Sequence, residues 1–228
     1  IRGKVSGDGA FSFGADGELK TLTADWTAEN IFIDAPNLFD GGLALETAQF
    51  KGAFDADQKS LRIDQILARR GPFELSLVGA LVDNPVSMGV TLTGNLKDLS
   101  IPDLKRLWPA GTVVGARDWI FANMHEGQIK SGEISINLTP GAIVDDKIPD
   151  EMMNISLQMA DLRVTYLNGL PDLTKVSGSA VVNGDTFRAE MTSGNVGNIT
   201  LKHGSVLINE LHKTGTVGMV SGTMAGPT

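Results

Sequence analysis

Residues 73–77 read Phe73-Glu74-Leu75-Ser76-Leu77, and residues 90–93 read Val90-Thr91-Leu92-Thr93. In both stretches apolar and polar residues alternate with a period of two, which places the apolar side chains on one face of a β-strand. The same alternation recurs in residues 134–138, 155–159, 162–166, 187–191 and 199–202. Strands with one apolar and one polar face are typical of antiparallel sheets whose polar face meets water.

Short turn sequences separate these stretches at hairpin spacing. Asp16-Gly17 and Asn183-Gly184 supply the positive backbone φ that tight hairpin turns require. The 228-residue chain contains 27 glycines, and glycines scattered between short apolar runs indicate many turns. Strands and helices do not alternate along the chain, so we predict a mainly antiparallel, all-β fold rather than a parallel nucleotide-binding sheet.

The middle of the chain has a helical pattern. Ser100 can cap a short first helix. Its apolar side chains are Leu104, Leu107 and Trp108. A second helix is predicted over residues 116–124, with Gly127 just past its end. Its apolar stripe consists of Ala116, Trp119, Ile120 and Met124. We expect this two-helix insert to pack Trp108 and Trp119 against an end or edge of the sheet.

The insert divides the chain into two β-rich parts. We predict a β-rich repeat unit over residues 1–99, the helical insert over 100–127 and a second β-rich unit over 128–228, joined as one continuous elongated fragment. The order of strands and turns in residues 31–82 recurs in residues 162–208, and elongated β structures grow by stacking such repeats. The repeated, curved sheet units can form either a closed core or an open groove.

Charge and composition exclude several functions. The chain has 19 Lys and Arg against 27 Asp and Glu, a net charge of −8, so it lacks the positive field that attracts nucleic acid. It has no cysteine, which excludes disulfides, thiolate nucleophiles and cysteine-based metal sites. The three histidines, His125, His203 and His212, lack the spacing of paired metal ligands. We expect structural or surface roles for them, and neither a metal nor another cofactor.

Motifs that would indicate catalysis are not found in the sequence. It has no Gly-x-Ser-x-Gly nucleophile elbow, and no pair of carboxylates stands out. The segment Asp55-Ala56-Asp57-Gln58-Lys59 begins like a calcium-binding loop, but Lys59 occupies a ligand position, so we interpret it as a hairpin turn. We predict that the chain is not an enzyme.

The apolar faces of the strands are the remaining candidate site. In a closed sandwich they would pack on each other as a core. In an open, curved sheet they would line a groove that accommodates the acyl chains of lipids. The alternation is the same in both cases, so both interpretations stay open. The candidate lipid-binding residues, chosen for alternation alone, are Leu75, Leu77, Val90, Leu92, Ile134, Ile136, Leu157 and Met159.

The insert and the residues after it carry a more specific pattern. Its parts are Leu107-Trp108-Pro109, Ala116-Arg117-Asp118-Trp119-Ile120, Asn123-Met124 with Gly127 and Ile129, and Val176-Ser177-Gly178. Residues 162–171 add Leu-Arg-Val-Thr-Tyr-Leu-Asn-Gly-Leu-Pro. Together they resemble the signature of the AsmA-like superfamily, particularly its large YhdP-type members with a central AsmA-related domain. The resemblance covers about residues 60–210.

The resemblance implies a lipid-related function without catalytic residues. Members of this family are similar to long periplasmic β structures, tethered to the inner membrane of Gram-negative bacteria, that let phospholipid pass towards the outer membrane along an apolar groove. We therefore expect a periplasmic section that shelters the acyl chains of phospholipid or another lipid and contributes to envelope biogenesis. The chain begins with Ile1 and contains no run of about 18–20 apolar residues. Its membrane anchor is expected in a segment outside this chain.

Two alternatives stay open. The first is a structural or protein-interaction module of the bacterial envelope, with a filled core, envelope protein partners and no lipid. A sandwich without an open groove would favour it. The second is a carbohydrate-binding β domain, which needs exposed aromatic side chains. Helical spacing predicts that Trp108 and Trp119 are buried, which leaves Trp26 and Tyr166 besides the phenylalanines.

Overall fold

The chain folds as one broad sheet. The computed structural model describes residues 2–35, 39, 42–108, 110, 114–167, 169–213 and 215–226. It contains a single sheet of 12 strands, each antiparallel to its neighbour in sequence. The strands before the helices are β1 (Arg2–Phe13), β2 (Leu19–Ile33), β3 (Leu43–Asp55), β4 (Ser60–Arg70), β5 (Phe73–Val82) and β6 (Gly89–Ser100). Those after the helices are β7 (Met124–Leu138), β8 (Met153–Val164), β9 (Leu173–Asn183), β10 (Thr186–Val196), β11 (Ile199–Asn209) and β12 (Met219–Ala225). The predicted all-β fold with a short helical insert is confirmed.

The connections between strands form two rims along the sheet. The helix-side rim contains the connections after β2, β4, β6, β8 and β10, and the opposite rim contains those after the odd-numbered strands. Two helices, α1 (Ile101–Leu107) and α2 (Val114–Asn123), connect β6 to β7 on the helix-side rim. A 3-10 turn, Asp150–Met152, precedes β8 on the opposite rim. Within the described residues, no helix is long and apolar enough to cross a membrane.

The start of α1 agrees with the prediction. The backbone of Ser100 is extended, and its Oγ accepts a hydrogen bond from the backbone N–H of Asp103 at 3.1 Å. Pro102 lies in the first turn, where its missing N–H costs no helical hydrogen bond. At the other end, the N–H of Trp108 donates to the carbonyl of Leu104 at 3.0 Å.

Ser100→Ala is expected to lower the free energy of unfolding by about 1 kcal/mol, because the N–H of Asp103 loses its acceptor. Urea denaturation of the wild type and the variant measures this difference. Ser100→Thr keeps a hydroxyl oxygen at the cap and is the matched control. An equal loss of stability in both variants would show that the hydrogen bond does not stabilise the helix.

The second helix differs from the prediction. It spans Val114–Asn123, and Met124 begins β7, where it is buried. Trp119 is 44% exposed, so the prediction that it is buried against the sheet is wrong. The predicted stripe assumed that the helix continues to Met124. The strand sets the position of Met124 instead, and from α2 Ile120 packs against the buried cluster.

Gly127 lies inside β7 rather than just past a helix end. It has a φ of +105°, and a Cβ added to it would lie 2.7 Å from the carbonyl oxygen of Asp161 in β8. Glycine is needed here because β8 approaches closely and because the backbone is left-handed. His125, also in β7, lies 2.8 Å from the hydroxyl of Thr165 through its Nε2.

The sheet has an apolar face and a polar face. Between β5 and β6, Leu75 pairs with Leu96 on one face, whereas Glu74 pairs with Lys97 on the other. The register carries this division across the sheet, so that cross-strand pairs on the first face are largely aliphatic and those on the second are largely polar. We call these two surfaces the apolar face and the polar face.

The apolar face stays continuous at several places where the alternation along a strand fails. In β6, Leu96 and Leu99 are both buried although two residues, Lys97 and Asp98, separate them, and Asp98 has a φ of +48°. Two residues likewise separate successive positions of the apolar face at four other places, Glu29-Asn30, Ala160-Asp161, Thr174-Lys175 and Lys202-His203. A bulge bends its strand and increases the local twist. The segments in β2, β8, β9 and β11 coincide with register shifts against a neighbouring strand, so these strands are bulged there, whereas β6 keeps its register with β5 and β7.

Buried clusters extend from α1 across most of the apolar face. Leu104 and Leu107 of α1 pack against three buried clusters, which together include residues of every strand from β3 to β11. In a flat sheet these strands would span about 38 Å. With 7 residues, α1 is only about 10 Å long. Because α1 contacts the sheet chiefly at β6 and β7, the clusters connect it to the more distant strands through the side chains that lie between them.

Candidate functional site

Part of the apolar face is a filled core beneath the helices. Ile101 of α1 is 0% exposed, and Phe73, Leu99 and Ile129 of the underlying strands are 3–4% exposed. Leu104 packs against the cluster that contains Ile101 and against the one that contains Phe73. We call this buried region, formed by α1 and the strand residues beneath it, the insert core.

Another part of the apolar face is partly exposed, although Leu138 and Met153 near the opposite rim are buried. Leu77, Val90, Leu92 and Ile136 lie between the insert core and the rim opposite the helices, and all four are partly exposed. Leu92 pairs directly with Ile136 across β6 and β7. The described residues contain no second sheet, and α1 and α2 contact the sheet chiefly at β6 and β7. We call this partly exposed strip the trough.

The structure brings all the predicted lining residues to the apolar face, but it divides them into two groups. Those that pack against buried clusters of the insert core are Leu75, Ile134, Leu157 and Met159. Those in the open trough are Leu77, Val90, Leu92 and Ile136. Contact of these residues with lipid stays a prediction.

The trough extends over strands that the sequence-based selection left out. Ile134 pairs with Ile155 of β8, which pairs with Val182 of β9, and this row continues through Phe187 to Ile208. Towards the other edge, the apolar row includes Ile66, Phe50 and Trp26. The alternation in residues 187–191 is sufficient to identify Phe187 as a candidate residue of the apolar face. The positions of Trp26 and Phe50 in this row can be determined only from the strand register.

The apolar face reaches both edges of the sheet. On β1, Val5 and Phe11 are 57% and 65% exposed, and they pair with apolar residues of β2. On β12, Val220 is 64% exposed and pairs with Val206. In the described part of the chain, β1 and β12 each hydrogen-bond to one neighbouring strand. The apolar surface is thus open at its sides as well as along the trough.

The rim opposite the helices is strongly acidic, and we call it the acidic rim. Its acidic side chains are Asp16, Glu18, Asp55, Asp57, Asp83, Asp145, Asp146, Asp150, Glu151, Asp185 and Glu210. Its basic side chains are Lys20, Lys59, Lys147 and Lys213. Each of these lysines forms an ion pair with a carboxylate of the same rim. The rim therefore carries most of the protein's net charge of −8.

The helix-side rim, by contrast, has balanced charges. Arg69 pairs with Glu74 at 2.8 Å, and Arg70 pairs with Asp103 at 3.4 Å. Arg163 reaches two carboxylates, at 2.7 Å and 3.4 Å. The two rims differ in electrostatic potential because the acids of the helix-side rim are largely neutralised by arginines.

Lys105 connects the two helices. Its Nζ donates a hydrogen bond to the carbonyl of Phe121 in α2 at 3.0 Å. Burial lowers the pKa of Lys105. The guanidinium of Arg117 lies over the ring of Phe121, 4.1 Å from its centroid, in the geometry of a cation–π contact. The hydrogen bond of Lys105 joins α2 to α1, whereas the contact of Arg117 with Phe121 lies within α2.

Asp185 is a buried carboxylate on the acidic rim, 6% exposed. Its Oδ1 accepts hydrogen bonds from the backbone N–H of His212 at 3.0 Å and from the ring Nδ1 at 2.7 Å. Burial tends to raise the pKa of Asp185, but the hydrogen bonds from His212 and the charges of His212 and Lys147 outweigh it and hold the pKa below the ordinary value of 3.8. Asp185 thus anchors the loop before β12 to the turn between β9 and β10.

Asp185→Asn is expected to lower the free energy of unfolding by about 1–3 kcal/mol near neutral pH, because it removes a charged acceptor that His212 needs. A carboxyl whose pKa is lower in the folded state stabilises the fold above its unfolded-state pKa. That stability is lost as the pH falls through the folded-state pKa. Urea unfolding of both proteins at about pH 7, 5 and 3 should show a difference that shrinks at the lowest pH. A difference that is independent of pH would contradict this account.

The remaining chemistry-bearing side chains have ordinary partners. Nε2 of His203 lies 3.1 Å from the carboxylate of Glu190 on the polar face. Among the described residues, no group of three or more His, Cys, Asp or Glu could hold a metal ion. The polar face has a shallow concavity of about 480 Å³, lined by Ser76, Asn95, Glu133 and other non-aromatic residues.

Comparisons with known proteins identify no relative. No protein-family model, curated protein or solved structure matches this chain. The geometry that bears on function is therefore a single sheet with an open apolar trough, a filled insert core on one side of it and an acidic rim on the other.

Proposed function

We propose that this chain is a periplasmic section of an AsmA-like envelope protein that shelters the acyl chains of phospholipids in its trough and contributes to their transport between the inner and outer membranes. The observation that supports this proposal best is the single open sheet with a partly exposed apolar face. A large exposed apolar patch on a folded protein usually marks a site that binds a ligand, a membrane or another protein.

The size of the hydrophobic effect fits this role. Each methylene group moved from water into apolar surroundings contributes about 0.8 kcal/mol. Partial burial of one acyl chain along the trough would therefore offset the loss of translational and rotational freedom on binding, which costs at least about 4 kcal/mol. The row from Trp26 to Ile208 crosses many strands, so a chain could shift along it without leaving apolar contact.

Lipid analysis of the purified protein tests the proposal. The chain is purified from a bacterial host without detergent, beside an unrelated acidic control protein, and the extracted lipids are identified by mass spectrometry. Phospholipid at a reproducible stoichiometry, not found with the control protein, is the expected result. Lipid at the control level, together with no saturable binding of an added fluorescent phospholipid, would contradict the proposal.

The edge strands favour a second candidate, a protein-interaction module of the envelope. Every residue of β1 is exposed, and its outer edge presents backbone N–H and C=O groups to solvent. Such an edge can accept a strand from a partner. Concentration-dependent association in analytical ultracentrifugation, without bound lipid, would favour this candidate over lipid transport.

A further inference from the structure

The position of the trough determines which rim a bound headgroup meets. Val90 is the second residue of β6, and Ile136 lies two residues before the end of β7, so both lie close to the acidic rim. On the other side, the trough ends against the insert core, where Leu99 and Ile129 are each 4% exposed. A lipid whose acyl chains occupy the trough can therefore place its polar headgroup in water only towards the acidic rim or along the open sides of the sheet.

The charge of this rim distinguishes one headgroup chemistry from another. Its lysines already pair with rim carboxylates, as in Lys59 with Asp83 and Lys20 with Asp57. The consecutive residues Asp145 and Asp146 are both exposed. An anionic headgroup beside these carboxylates would be repelled, whereas an ammonium group at the outer end of a zwitterionic headgroup would be attracted.

From these two observations we infer that the trough binds phospholipids with an ammonium-bearing, zwitterionic headgroup in preference to anionic phospholipids with the same acyl chains. This inference rests on the proposed function, since the acyl chains supply the affinity and the acidic rim supplies the discrimination. Most of the rim charges are exposed, so the discrimination must weaken as salt screens them over about a Debye length.

The test compares two fluorescent phospholipids that share the same labelled acyl chain and differ only in headgroup, phosphatidylethanolamine against phosphatidylglycerol. Binding is titrated by fluorescence at low salt and at about 0.5 M salt. Phosphatidylethanolamine is expected to bind about three- to tenfold more tightly at low salt, with the difference falling towards onefold at high salt.

Matched variants test whether the acidic rim causes the headgroup preference. The double variant Asp145→Asn with Asp146→Asn removes two charges from the acidic rim, and asparagine tolerates the positive φ of both positions. The control, Asp34→Asn with Asp118→Asn, removes two exposed charges from the helix-side rim. The preference is expected to fall about twofold or more in the first variant and to stay unchanged in the control.

The outcomes separate the two proposals. Equal binding of both lipids at low salt, tighter binding of phosphatidylglycerol, or the same loss of preference in both variants would overturn the headgroup inference and leave the proposed function standing. Saturable binding of neither lipid would overturn both.

Discussion

Leu92→Asp is expected to fold and to bind less lipid, whereas Leu99→Asp is expected not to fold. Both leucines lie on the apolar face of β6, so the two variants share strand, face and substitution. Leu99 is 4% exposed in the insert core, where an unpaired carboxylate costs several kcal/mol, a large part of the stability of a domain. Leu92 is partly exposed in the trough, where the carboxylate can reach water.

Circular dichroism and urea denaturation measure folding in this pair, and a fluorescent phospholipid measures binding. Leu77→Asp provides a second trough variant on β5 and should behave like Leu92→Asp. Unfolding of all three variants would show that the whole apolar face is a filled core. Folded trough variants that bind lipid as well as the wild type does would rule out this strip as the binding surface.

Ile101→Ala is expected to lower the free energy of unfolding by about 2–5 kcal/mol. The side chain of Ile101 is fully buried and belongs to the cluster that joins α1 to Leu162 and Val176 in β8 and β9. Its truncation removes apolar burial and leaves a cavity where the helix meets the sheet. Because the cluster of Ile101 includes residues of β7 to β11, this single position should affect the sheet as well as α1.

Urea denaturation followed by far-UV circular dichroism measures the effect of Ile101→Ala. Val86→Ala is the matched control, because Val86 is an aliphatic side chain that is 72% exposed on the opposite rim. The control should change stability by no more than about 0.5 kcal/mol. An equally small change for Ile101→Ala would show that the insert does not stabilise the sheet.

The sequence predicts those features of this fold that depend on local chemistry. The alternation in residues 73–77 and 90–93 is a property of each strand by itself, and it placed Leu75, Leu77, Val90 and Leu92 correctly on one face. Ser100 was recognisable as a helix cap because capping depends on a side chain and an N–H only three residues apart.

Other features depended on contacts between distant residues. The segment Leu96-Lys97-Asp98-Leu99 breaks the period of two, and only the pairing with β7, which continues in the same register through it, shows that it lies inside a strand. Trp119 was predicted to be buried because the helix was extended to Met124, a residue whose position depends on its pairing with β8.

The open trough and the acidic rim could not be derived from periodicity. A closed sandwich and an open curved sheet have the same alternation, and only the single-sheet topology distinguishes them. The acidic loops are far apart in sequence. They share a rim because connections after odd-numbered strands of a meander all lie at the same end of the sheet.

The central claim is that acyl chains bind the apolar face of the sheet and not its polar face. The chain has no cysteine, so Leu92→Cys and Thr93→Cys each provide a single labelling site for an environment-sensitive fluorophore. These neighbours in β6 lie on opposite faces. When phospholipid is added, a blue shift and an intensity increase are expected from the fluorophore in the Leu92→Cys variant and not from that in the Thr93→Cys variant. Equal responses, or a response only in the Thr93→Cys variant, would contradict the account.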